Sequence, residues 1–398
     1  MRTYLSERLS RLPESETIAM SQRSRELQNQ GIDIINLSVG EPDFPTPHHI
    51  KEAGKQAIDD DFTHYPPVPG IPELREAIAR KFKRDNDLTY TPSQIVVSTG
   101  GKQALANAIY SLVDEGDEVI VPAPYWVSYP AMVQLAGGKP VFVSADIDSD
   151  FKITPEQLEE AITSRTRVLL INSPCNPTGS VYSSDELKGL AEVLSRHPGV
   201  FVISDEIYEY INYEDKHHTL ASFPGMQERV VIVNGVSKGY AMTGWRLGYI
   251  AAPDWIASAC SRLQGQYTSG TSTISQKAAL AAINGPLDDT RKMVKAFRRR
   301  RDLVVKLANE IPGLKNNNPE GAFYMFPDVS SFFGKSYKNK TINNSNDLSF
   351  YLLEEVHVAT VTGTAFGCDT CIRFSYASSD EILREAMKRI KEGLARLK

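Results

Sequence analysis

Short apolar segments alternate with helical patterns from residue 95 to residue 250. In the segments 103–112 and 184–194, apolar residues recur three to four positions apart, as on one face of a helix. Apolar, β-rich runs lie between such segments, at residues 95–98, 118–121, 141–143, 167–171, 200–203, 230–233 and 247–250. This alternation predicts an α/β domain in which a mainly parallel, seven-stranded sheet is sandwiched by helices.

The pattern changes after about residue 290. A long helical pattern comes first, and short strand-like runs follow at residues 322–326 and 371–375. A helical pattern over 379–397 closes the chain, and the polar stretch 335–347 is typical of a surface loop. These features predict a second, smaller α+β domain.

The chain of 398 residues is longer than one hydrophobic core usually organises, which also favours two domains. We predict a large domain over residues 46–288 and a small domain over residues 289–398. Residues 1–45 are expected to pack with the small domain. They include an amphipathic helix predicted over 5–30, which Pro13 interrupts.

The charge balance does not suggest binding to nucleic acid or to an anionic membrane. The chain has 44 Lys and Arg against 49 Asp and Glu, a formal net charge of −5, and lacks the basic excess that polyanions select. The densest basic run, 298–301, is expected to be the solvated face of a helix. No apolar stretch approaches the ~18 residues of a membrane span, and the N-terminus lacks a signal-peptide core. We therefore expect a cytoplasmic protein.

The cysteines and histidines do not predict a metal site. Cys368 and Cys371 have CxxC spacing, but the sequence offers neither the second pair nor the nearby histidine that a zinc site needs. We expect ordinary thiols there. His217 and His218 are expected to form an exposed loop pair without a metal role.

Reactive residues follow several of the predicted strands, at the sheet edge where open α/β folds bind ligands. Lys238 comes shortly after the run 230–233, among small residues. Burial there would lower the pKa of the lysine and favour its nucleophilic amine. Arg246, eight residues later, offers a guanidinium fork suited to phosphate.

Three other predicted strands are also followed by residues that could bind a phosphate or another polar group of a ligand. Gly100 and Gly101 open a helix, where free N–H groups suit a phosphate, although such pairs also occur in simple turns. Asn176 lies in the loop Ser-Pro-Cys-Asn-Pro-Thr-Gly. This loop either directs the Asn176 amide into a site or is only a rigid turn. Asp205 and Tyr208 can face one pocket, but Asp205 could instead be a helix N-cap.

Taken together, these segments resemble the class I aminotransferases of the fold-type I superfamily of pyridoxal-phosphate (PLP) enzymes. The segment Gly-Val-Ser-Lys-Gly-Tyr-Ala-Met-Thr-Gly-Trp-Arg-Leu-Gly, which contains Lys238, matches that family's cofactor-attachment signature throughout. The Asn176 loop, Asp-Glu-Ile-Tyr at residues 205–208 and Arg373 in Cys-Ile-Arg-Phe-Ser-Tyr fall in the family's order. The resemblance runs from about Leu37 to the C-terminus.

The resemblance implies a role for each residue near the cofactor ring. Lys238 would hold PLP as a Schiff base and move the substrate's α-proton as base and acid. Asp205 would pair with the pyridine nitrogen and keep the ring an electron sink. Tyr208 and Asn176 would hydrogen-bond the phenolic oxygen, and Trp126 would lie against the ring.

For the phosphate, the resemblance implies Arg246 together with the turn formed by Gly100, Gly101 and Lys102. It also implies Tyr65 of a neighbouring subunit, and hence a homodimer with a composite active site. A glycine stands three residues before the attachment lysine, where several relatives have a phosphate-binding serine. Phosphate binding is therefore expected to depend more on Arg246 and Tyr65.

For the substrate, the resemblance implies that Arg373 takes the α-carboxylate as a bidentate pair, with the backbone of Gly40 alongside. Trp126 and Asn176 would border the same substrate. The chain looks most like bacterial aspartate aminotransferases with Gly-Gly-Lys-Gln before the first large-domain helix. In that subgroup the lysine, here Lys102, meets the distal carboxylate of aspartate or glutamate.

The expected activity is therefore transfer of the amino group of aspartate to 2-oxoglutarate, giving oxaloacetate and glutamate, by a ping-pong mechanism through Lys238. Alternatives are an aminotransferase for neutral or aromatic amino acids, one for prephenate, and a PLP β-lyase. Members that accept prephenate carry a lysine near the position of Pro13, which this chain lacks. A PLP-sensing transcriptional regulator is disfavoured, because no basic DNA-binding segment precedes the aminotransferase-like part.

Overall fold

The computed structural model describes residues 6, 9, 12, 16–214 and 216–398. Its first helix, α1, is Glu16–Asn29, and a short strand, β1, follows at Ile35–Asn36. Pro13 lies outside the described residues. The helix predicted over 5–30 is thus seen from Glu16 onward, and the interruption at Pro13 stays a prediction.

A mainly parallel sheet of seven strands occupies the middle of the fold. The strands are β2 (Ile95–Ser98), β3 (Glu118–Ala123), β4 (Lys139–Ser144), β5 (Thr166–Asn172), β6 (Phe201–Asp205), β7 (Val230–Gly235) and β8 (Gly248–Ala251). Their spatial order is β2-β8-β7-β6-β5-β3-β4. Only β8 runs antiparallel to its neighbours, β2 and β7, and the other pairs are parallel. The predicted α/β fold is confirmed, and each of the seven apolar runs corresponds to one strand.

Eight of the described α-helices lie between residues 48 and 284, before, between and after the strands of this sheet. They are α2 (His48–Asp59), α3 (Pro72–Asn86), α4 (Gly101–Leu112), α5 (Tyr129–Leu135), α6 (Pro155–Ala161), α7 (Ser184–Arg196), α8 (Asp254–Tyr267) and α9 (Thr273–Asn284).

Helix α7 illustrates how the local sequence defines these elements. The Ser183 hydroxyl accepts the backbone N–H of Glu186, and the Glu186 carboxylate accepts the N–H of Ser183 at 2.7 Å. This reciprocal capping box satisfies N–H groups that the first helical turn leaves free. Leu187, Leu190 and Leu194 then recur at helical spacing, and all are buried.

The apolar strands of the sheet bury both of their faces. On β5, Leu169 and Ile171 belong to one hydrophobic cluster, whereas Val168 and Leu170 belong to another on the opposite face. Successive side chains of a strand point to opposite faces, so a continuous apolar run predicts a strand that helices cover on both sides. The structure bears this out.

The C-terminal third builds a separate group of elements and most of a further apolar cluster, to which Leu37, Tyr208, Ile211 and Tyr213 also belong. The elements are α10 (Asp288–Ala308), β9 (Tyr324–Met325), β10 (Ser336–Tyr337), β11 (Lys340–Thr341), α11 (Ser345–Glu355), β12 (Val358–Ala359), β13 (Val361–Thr362), β14 (Ile372–Ser375) and α12 (Asp380–Leu394). Strands β13, β14 and β9 form a small antiparallel sheet. Strand β1 pairs in parallel with β12, with Ile35 opposite Val358. The domain boundaries at residues 45 and 288 stay predictions.

The segment 335–347 lies largely on the surface, as predicted, but the prediction that it is a loop is wrong. Strands β10 and β11 form an antiparallel hairpin there, and α11 already begins at Ser345. Ile342 of this segment is 2% exposed. The polar composition concealed the hairpin because both of its strands have only two residues, too few to display alternation.

The solvated helix face predicted over 298–301 is wrong for two of the four arginines. The run lies on α10 as expected, but Arg300 and Arg301 are 7% and 8% exposed. Arg300 forms a bidentate ion pair with Asp43 at 2.8 and 2.9 Å, and Arg301 donates to the carbonyl of Pro319. These partners are distant in the sequence, so helical periodicity alone could not reveal them.

Candidate active site

A cavity of about 400 Å³ opens where the parallel strands end. Its walls include all but two of the residues predicted for the site, namely Gly40, Gly101, Lys102, Trp126, Asn176, Asp205, Tyr208, Lys238, Arg246 and Arg373. The exceptions are Gly100 and Tyr65. Because β2, β5, β6 and β7 all deliver a lining segment at their carboxyl ends, the cavity follows from the parallel topology of the sheet.

Lys238 projects into the cavity from the segment after β7. The surrounding protein displaces solvent from the amine, and this burial, with the nearby Arg373 cation, lowers the pKa of Lys238 to about 8. The Nζ atom donates to the carbonyl of Gly40. At pH 7 roughly a tenth of this lysine is therefore the neutral amine, which is its nucleophilic form, against less than about one part in a thousand for an ordinary lysine.

Asp205 ends β6 and is 5% exposed. Burial raises the pKa of its carboxyl group to about 6, against the opposing effect of its hydrogen bonds. Tyr129 donates to Oδ2 at 2.7 Å, and the backbone N–H of Ile207 donates to Oδ1 at 3.2 Å. The carboxylate is thus held by two donors inside the protein, and the predicted N-cap alternative with a water-exposed carboxylate is wrong.

Arg373, on β14, is a buried guanidinium that stacks 4.5 Å from the Tyr324 ring and 5.0 Å from the Phe366 ring. It donates to the Asn176 side-chain oxygen at 2.9 Å and to the Ser38 carbonyl at 2.7 Å. Its Nε has no partner, and burial lowers the pKa of the group. Among the described residues, no carboxylate forms an ion pair with Arg373 within 4.0 Å. A buried, incompletely bonded guanidinium is suited to an incoming carboxylate.

Tyr208 and Tyr324 form a second polar contact on the cavity wall. Their hydroxyls lie 2.7 Å apart, and both side chains are buried. A Cβ atom at Gly40 would lie 2.7 Å from the Tyr324 hydroxyl oxygen. Glycine at this position therefore allows the backbone that meets Lys238 to approach the tyrosine pair.

The N-terminus of α4 and Arg246 form a tight cradle. Arg246 has a left-handed backbone (φ 54°), and its Nη1 donates to the carbonyl of Thr243 at 2.9 Å. A Cβ atom at Gly100 would lie 2.5 Å from Arg246 Nη2, and one at Gly248 would lie 2.3 Å from the Gly101 nitrogen. Glycine at both positions lets the N-terminus of α4 and a guanidinium, both of which attract an anion, lie side by side.

Lys102 lies in the first turn of α4 with its amine 4.9 Å from the centre of the Trp126 ring. Both side chains line the cavity. Burial, with a smaller contribution from the Arg246 cation, lowers the pKa of Lys102. Tyr65, in contrast, is 97% exposed and does not line this cavity.

Sequence reasoning missed several residues of the site, including Tyr129, Tyr324 and Glu41. Glu41 lines the cavity and accepts a 2.9 Å hydrogen bond from the Thr243 hydroxyl. Tyr129 stands three residues after Trp126, a signal that its side chain could share a helical-turn face with the tryptophan. For Tyr324 the sequence offers no comparable signal.

A buried polar layer lies behind the two reactive segments. Glu209 accepts hydrogen bonds from Lys81 and, at 2.7 Å, from the side chain of Asn234. Glu206 accepts from His217, which is buried with a side-chain exposure of 6%. The expectation that His217 is exposed is therefore wrong, although the residue does lie in a loop as predicted, because its ring contacts the buried carboxylate of Glu206. The layer fixes the ends of β6 and β7.

Comparison with known proteins places this fold and site in a family. The family model for aminotransferase class I and II matches residues 32–390. The aspartate/prephenate aminotransferase of Cereibacter sphaeroides is 51% identical over 391 residues, 98% of this chain and 98% of that protein. A Petunia hybrida protein, a bifunctional aspartate aminotransferase and glutamate/aspartate-prephenate aminotransferase, is 49% identical, over 99% of this chain and 83% of its own length.

Solved structures give the same result. The aspartate aminotransferase from Rhizobium meliloti superimposes with a TM-score of 0.97 at 45% identity, covering 100% of both chains. The Thermus thermophilus aspartate aminotransferase with maleate gives a TM-score of 0.91 at 42% identity, covering 99% of this chain and 100% of that one. The chain therefore belongs to the class I and II aminotransferases. It is a transaminase with amino-acid and 2-oxo-acid substrates.

Two further findings concern the described part of the chain. No helix within it is long and apolar enough to cross a membrane. No group of three or more His, Cys, Asp or Glu side chains within it could hold a metal ion.

Proposed function

We propose that this aminotransferase transfers the amino group of aspartate to 2-oxoglutarate, with PLP attached to Lys238. The observation that carries the proposal is a single cavity shared by a lysine amine, a buried carboxylate and a buried, unpaired guanidinium, those of Lys238, Asp205 and Arg373. An amine nucleophile, a partner for a ring nitrogen and a receptor for a carboxylate are the three groups that this chemistry requires.

The residues fit PLP on chemical and steric grounds. The N-terminus of α4, against which the Arg246 guanidinium packs at Gly100, suits the phosphate. The buried carboxylate of Asp205, with a pKa of about 6, suits the pyridine nitrogen. Tyr208 and Asn176 line the same cavity as Asp205 and Lys238. When bound, the cofactor supplies an electron sink that makes the substrate's α-proton acidic.

The protein's own groups then perform the remaining tasks. Arg373 binds the α-carboxylate with its fork and orients the α-carbon in the cavity. The Lys238 amine, whose pKa is about 8, takes a proton as a neutral base and returns it as an ammonium. Trp126 and Phe366 line the cavity and exclude water from the reacting atoms.

For the second carboxylate of aspartate or 2-oxoglutarate, we propose Lys102. Its amine lines the cavity beside Trp126, and it lies at the N-terminus of α4, where the helix dipole also favours an anion. The related Thermus thermophilus enzyme was solved with maleate, which is a dicarboxylate. That observation supports the same class of ligand here.

The homodimer is also a proposal. Tyr65 is almost fully exposed, and its position outside its own chain's cavity agrees with a tyrosine that reaches the phosphate site of a second subunit. A cytoplasmic location stays a prediction.

Prephenate is a second candidate acceptor, and one observation favours it. Relatives at 47% to 51% identity carry names that include prephenate. Prephenate is itself a 2-oxo acid with a second carboxylate, so Arg373 and Lys102 could serve both acceptors. The lack of a lysine near the position of Pro13 is the feature that argues for 2-oxoglutarate.

The test is a panel of amino donors and acceptors with the PLP-loaded protein. Aspartate with 2-oxoglutarate should be the most efficient pair by kcat/KM, above alanine or phenylalanine as donors. Prephenate with aspartate or glutamate is the second arm. Efficiency with neutral donors equal to that with aspartate would overturn the aspartate assignment, and release of ammonia without an acceptor would indicate a β-lyase.

A further inference from the structure

Cys368 and Cys371 occupy the two ends of one tight turn. The N–H of Cys371 donates to the carbonyl of Cys368 at 3.4 Å, which defines a four-residue β-turn whose terminal Cα atoms are less than about 7 Å apart. Both sulfur atoms contact the Thr370 hydroxyl, at 3.6 and 3.8 Å. Disulfides form across Cα separations of about 4.4–6.8 Å. The turn therefore brings the pair near that range, which CxxC spacing alone does not establish.

The two thiols are unequal in the way that thiol–disulfide exchange requires. Cys368 is partly exposed, whereas Cys371 is 1% exposed. A hydrogen bond from the Cys371 thiol lowers the pKa of Cys368 to about 7, and the pKa of Cys371 is raised. Cys368 can therefore act as the attacking thiolate and Cys371 as the resolving thiol. By contrast, burial raises the pKa of Cys260 to about 11.

The turn also joins two walls of the active-site cavity. The segment before it contains Phe366, and Arg373 lies two residues after it, with its guanidinium 5.0 Å from the Phe366 ring. A Cβ atom at Gly363 would lie 2.2 Å from the carbonyl oxygens of both cysteines. Because the packing is this close, a movement of the turn displaces the adjacent segments that carry Phe366 and Arg373.

We propose that Cys368 and Cys371 form a reversible disulfide when a small-molecule disulfide is available, and that this bond alters substrate binding at Arg373. The Cys368 thiolate attacks one sulfur of the small disulfide, so a mixed disulfide forms and one small thiolate leaves. The Cys371 thiol then loses its proton and attacks Cys368, and the second small thiolate leaves. The protein loses two hydrogens, and one small disulfide is reduced to two thiols.

The bond shortens the sulfur–sulfur separation to about 2.05 Å and draws the exposed end of the turn inward, toward Phe366. Because Phe366 packs on the guanidinium of Arg373, the substrate's α-carboxylate should bind less well. Only this kinetic consequence rests on the proposed function. Disulfide formation itself is measured without any activity.

The first experiment measures the bond. The PLP-loaded protein is equilibrated with reduced and oxidised glutathione at several ratios, quenched in acid, alkylated and analysed by peptide mass spectrometry. The Cys368–Cys371 peptide should lose two hydrogens as the buffer becomes oxidising, and dithiothreitol should restore both thiols. Cys371→Ala should instead retain one glutathione on Cys368, whereas Cys260→Ala should form the bond as the natural chain does. Two thiols that stay reduced in excess oxidised glutathione, or stable glutathionylation of the natural chain, would overturn the proposal.

The second experiment measures the coupling. Oxidation should raise KM for aspartate about fivefold, the lower end of ordinary coupling between sites, with a smaller change in kcat, and dithiothreitol should reverse it. Cys368→Ser should keep the low KM under both conditions. A complete disulfide with unchanged KM would refute the coupling to Arg373. Absence of transaminase activity in both redox states would instead refute the proposed function, and the mass measurement would remain valid.

Discussion

The phenol of Tyr129 donates a 2.7 Å hydrogen bond to Oδ2 of Asp205 across 76 residues of sequence. Burial raises the pKa of Asp205, whereas this hydrogen bond lowers it, and the balance is a pKa of about 6. At neutral pH the carboxyl group is therefore mostly ionised despite its burial. Tyr129 itself is buried and has a pKa well above its ordinary value, so it remains a hydrogen-bond donor throughout.

Replacing Tyr129 by phenylalanine should raise the pKa of Asp205. A charge-assisted hydrogen bond favours the ionised carboxylate, so its loss should move the midpoint up by about one pH unit. Carboxyl ¹³C NMR of the cofactor-free protein measures that midpoint directly. A midpoint unchanged from the natural chain would show that Tyr129 does not control the ionisation of Asp205. Tyr110→Phe is the control, since Tyr110 lies on α4 and does not line the cavity.

Much of the fold and of the site followed from local patterns. The apolar runs gave the strands of the sheet, and the residues after them gave Lys238, Asp205 and Asn176, because parallel strands deliver their carboxyl ends to one edge. What failed were inferences from polarity. Arg300 and His217 look solvent-exposed by composition, but each is buried against a carboxylate, and sequence spacing does not reveal such partners.

Tyr324 marks a second limit. It reaches the cavity from β9, in the C-terminal third, and meets Tyr208 116 residues away. Both tyrosines belong to one apolar cluster, which the segment after β6 and the C-terminal third build together. No pattern within either segment specifies that packing, whereas an attachment signature or a strand run is contained in a few consecutive residues.

Lys238 should react as an unusually acidic lysine in the cofactor-free protein. With a pKa of about 8, its neutral amine dominates above pH 8, whereas an ordinary lysine reaches that state only near pH 10.4. The rate of modification by an amine-selective reagent, followed on the Lys238 peptide, should therefore have a midpoint near pH 8. A midpoint near that of exposed lysines in the same digest would contradict the desolvated environment described for it.

The proposed homodimer predicts that Tyr65 contacts the cofactor phosphate in the active site of the partner subunit. Tyr65→Phe should weaken PLP binding about tenfold, the cost of one phosphate hydrogen bond. Hybrid dimers of Tyr65→Phe with Lys238→Ala chains contain one site with both Lys238 and an intact tyrosine. That site should require PLP at the concentration typical of the natural protein. A hybrid that keeps the weakened PLP affinity would place Tyr65 in its own subunit's site. Tyr267→Phe, at another exposed tyrosine (72%), is the matched control.

Lys102 should determine preference for dicarboxylic substrates. Leaving a second carboxylate unpaired in a water-poor cavity is costly, so Lys102→Ala should reduce kcat/KM for aspartate and glutamate roughly a hundredfold, or about 2–3 kcal/mol. Alanine and phenylalanine should lose far less. An equal loss for acidic and neutral substrates would mean that Lys102 serves only the phosphate region. Lys188→Ala, on the exposed face of α7, controls for the loss of a surface charge.

The central claim is amino transfer through a cofactor attached to Lys238, and a single-turnover experiment tests it most directly. Aspartate is added in excess, without an acceptor, to the PLP-loaded protein, and oxaloacetate is measured against the number of sites. The account predicts that one equivalent of oxaloacetate forms and the reaction then stops. After the unreacted aspartate is removed by gel filtration, addition of 2-oxoglutarate should release one equivalent of glutamate and restore the starting absorbance. Lys238→Ala should form neither product at a comparable rate. Three results would contradict the account. Oxaloacetate could form continuously without an acceptor, or no oxaloacetate could form until both substrates are present. The third is normal turnover by Lys238→Ala.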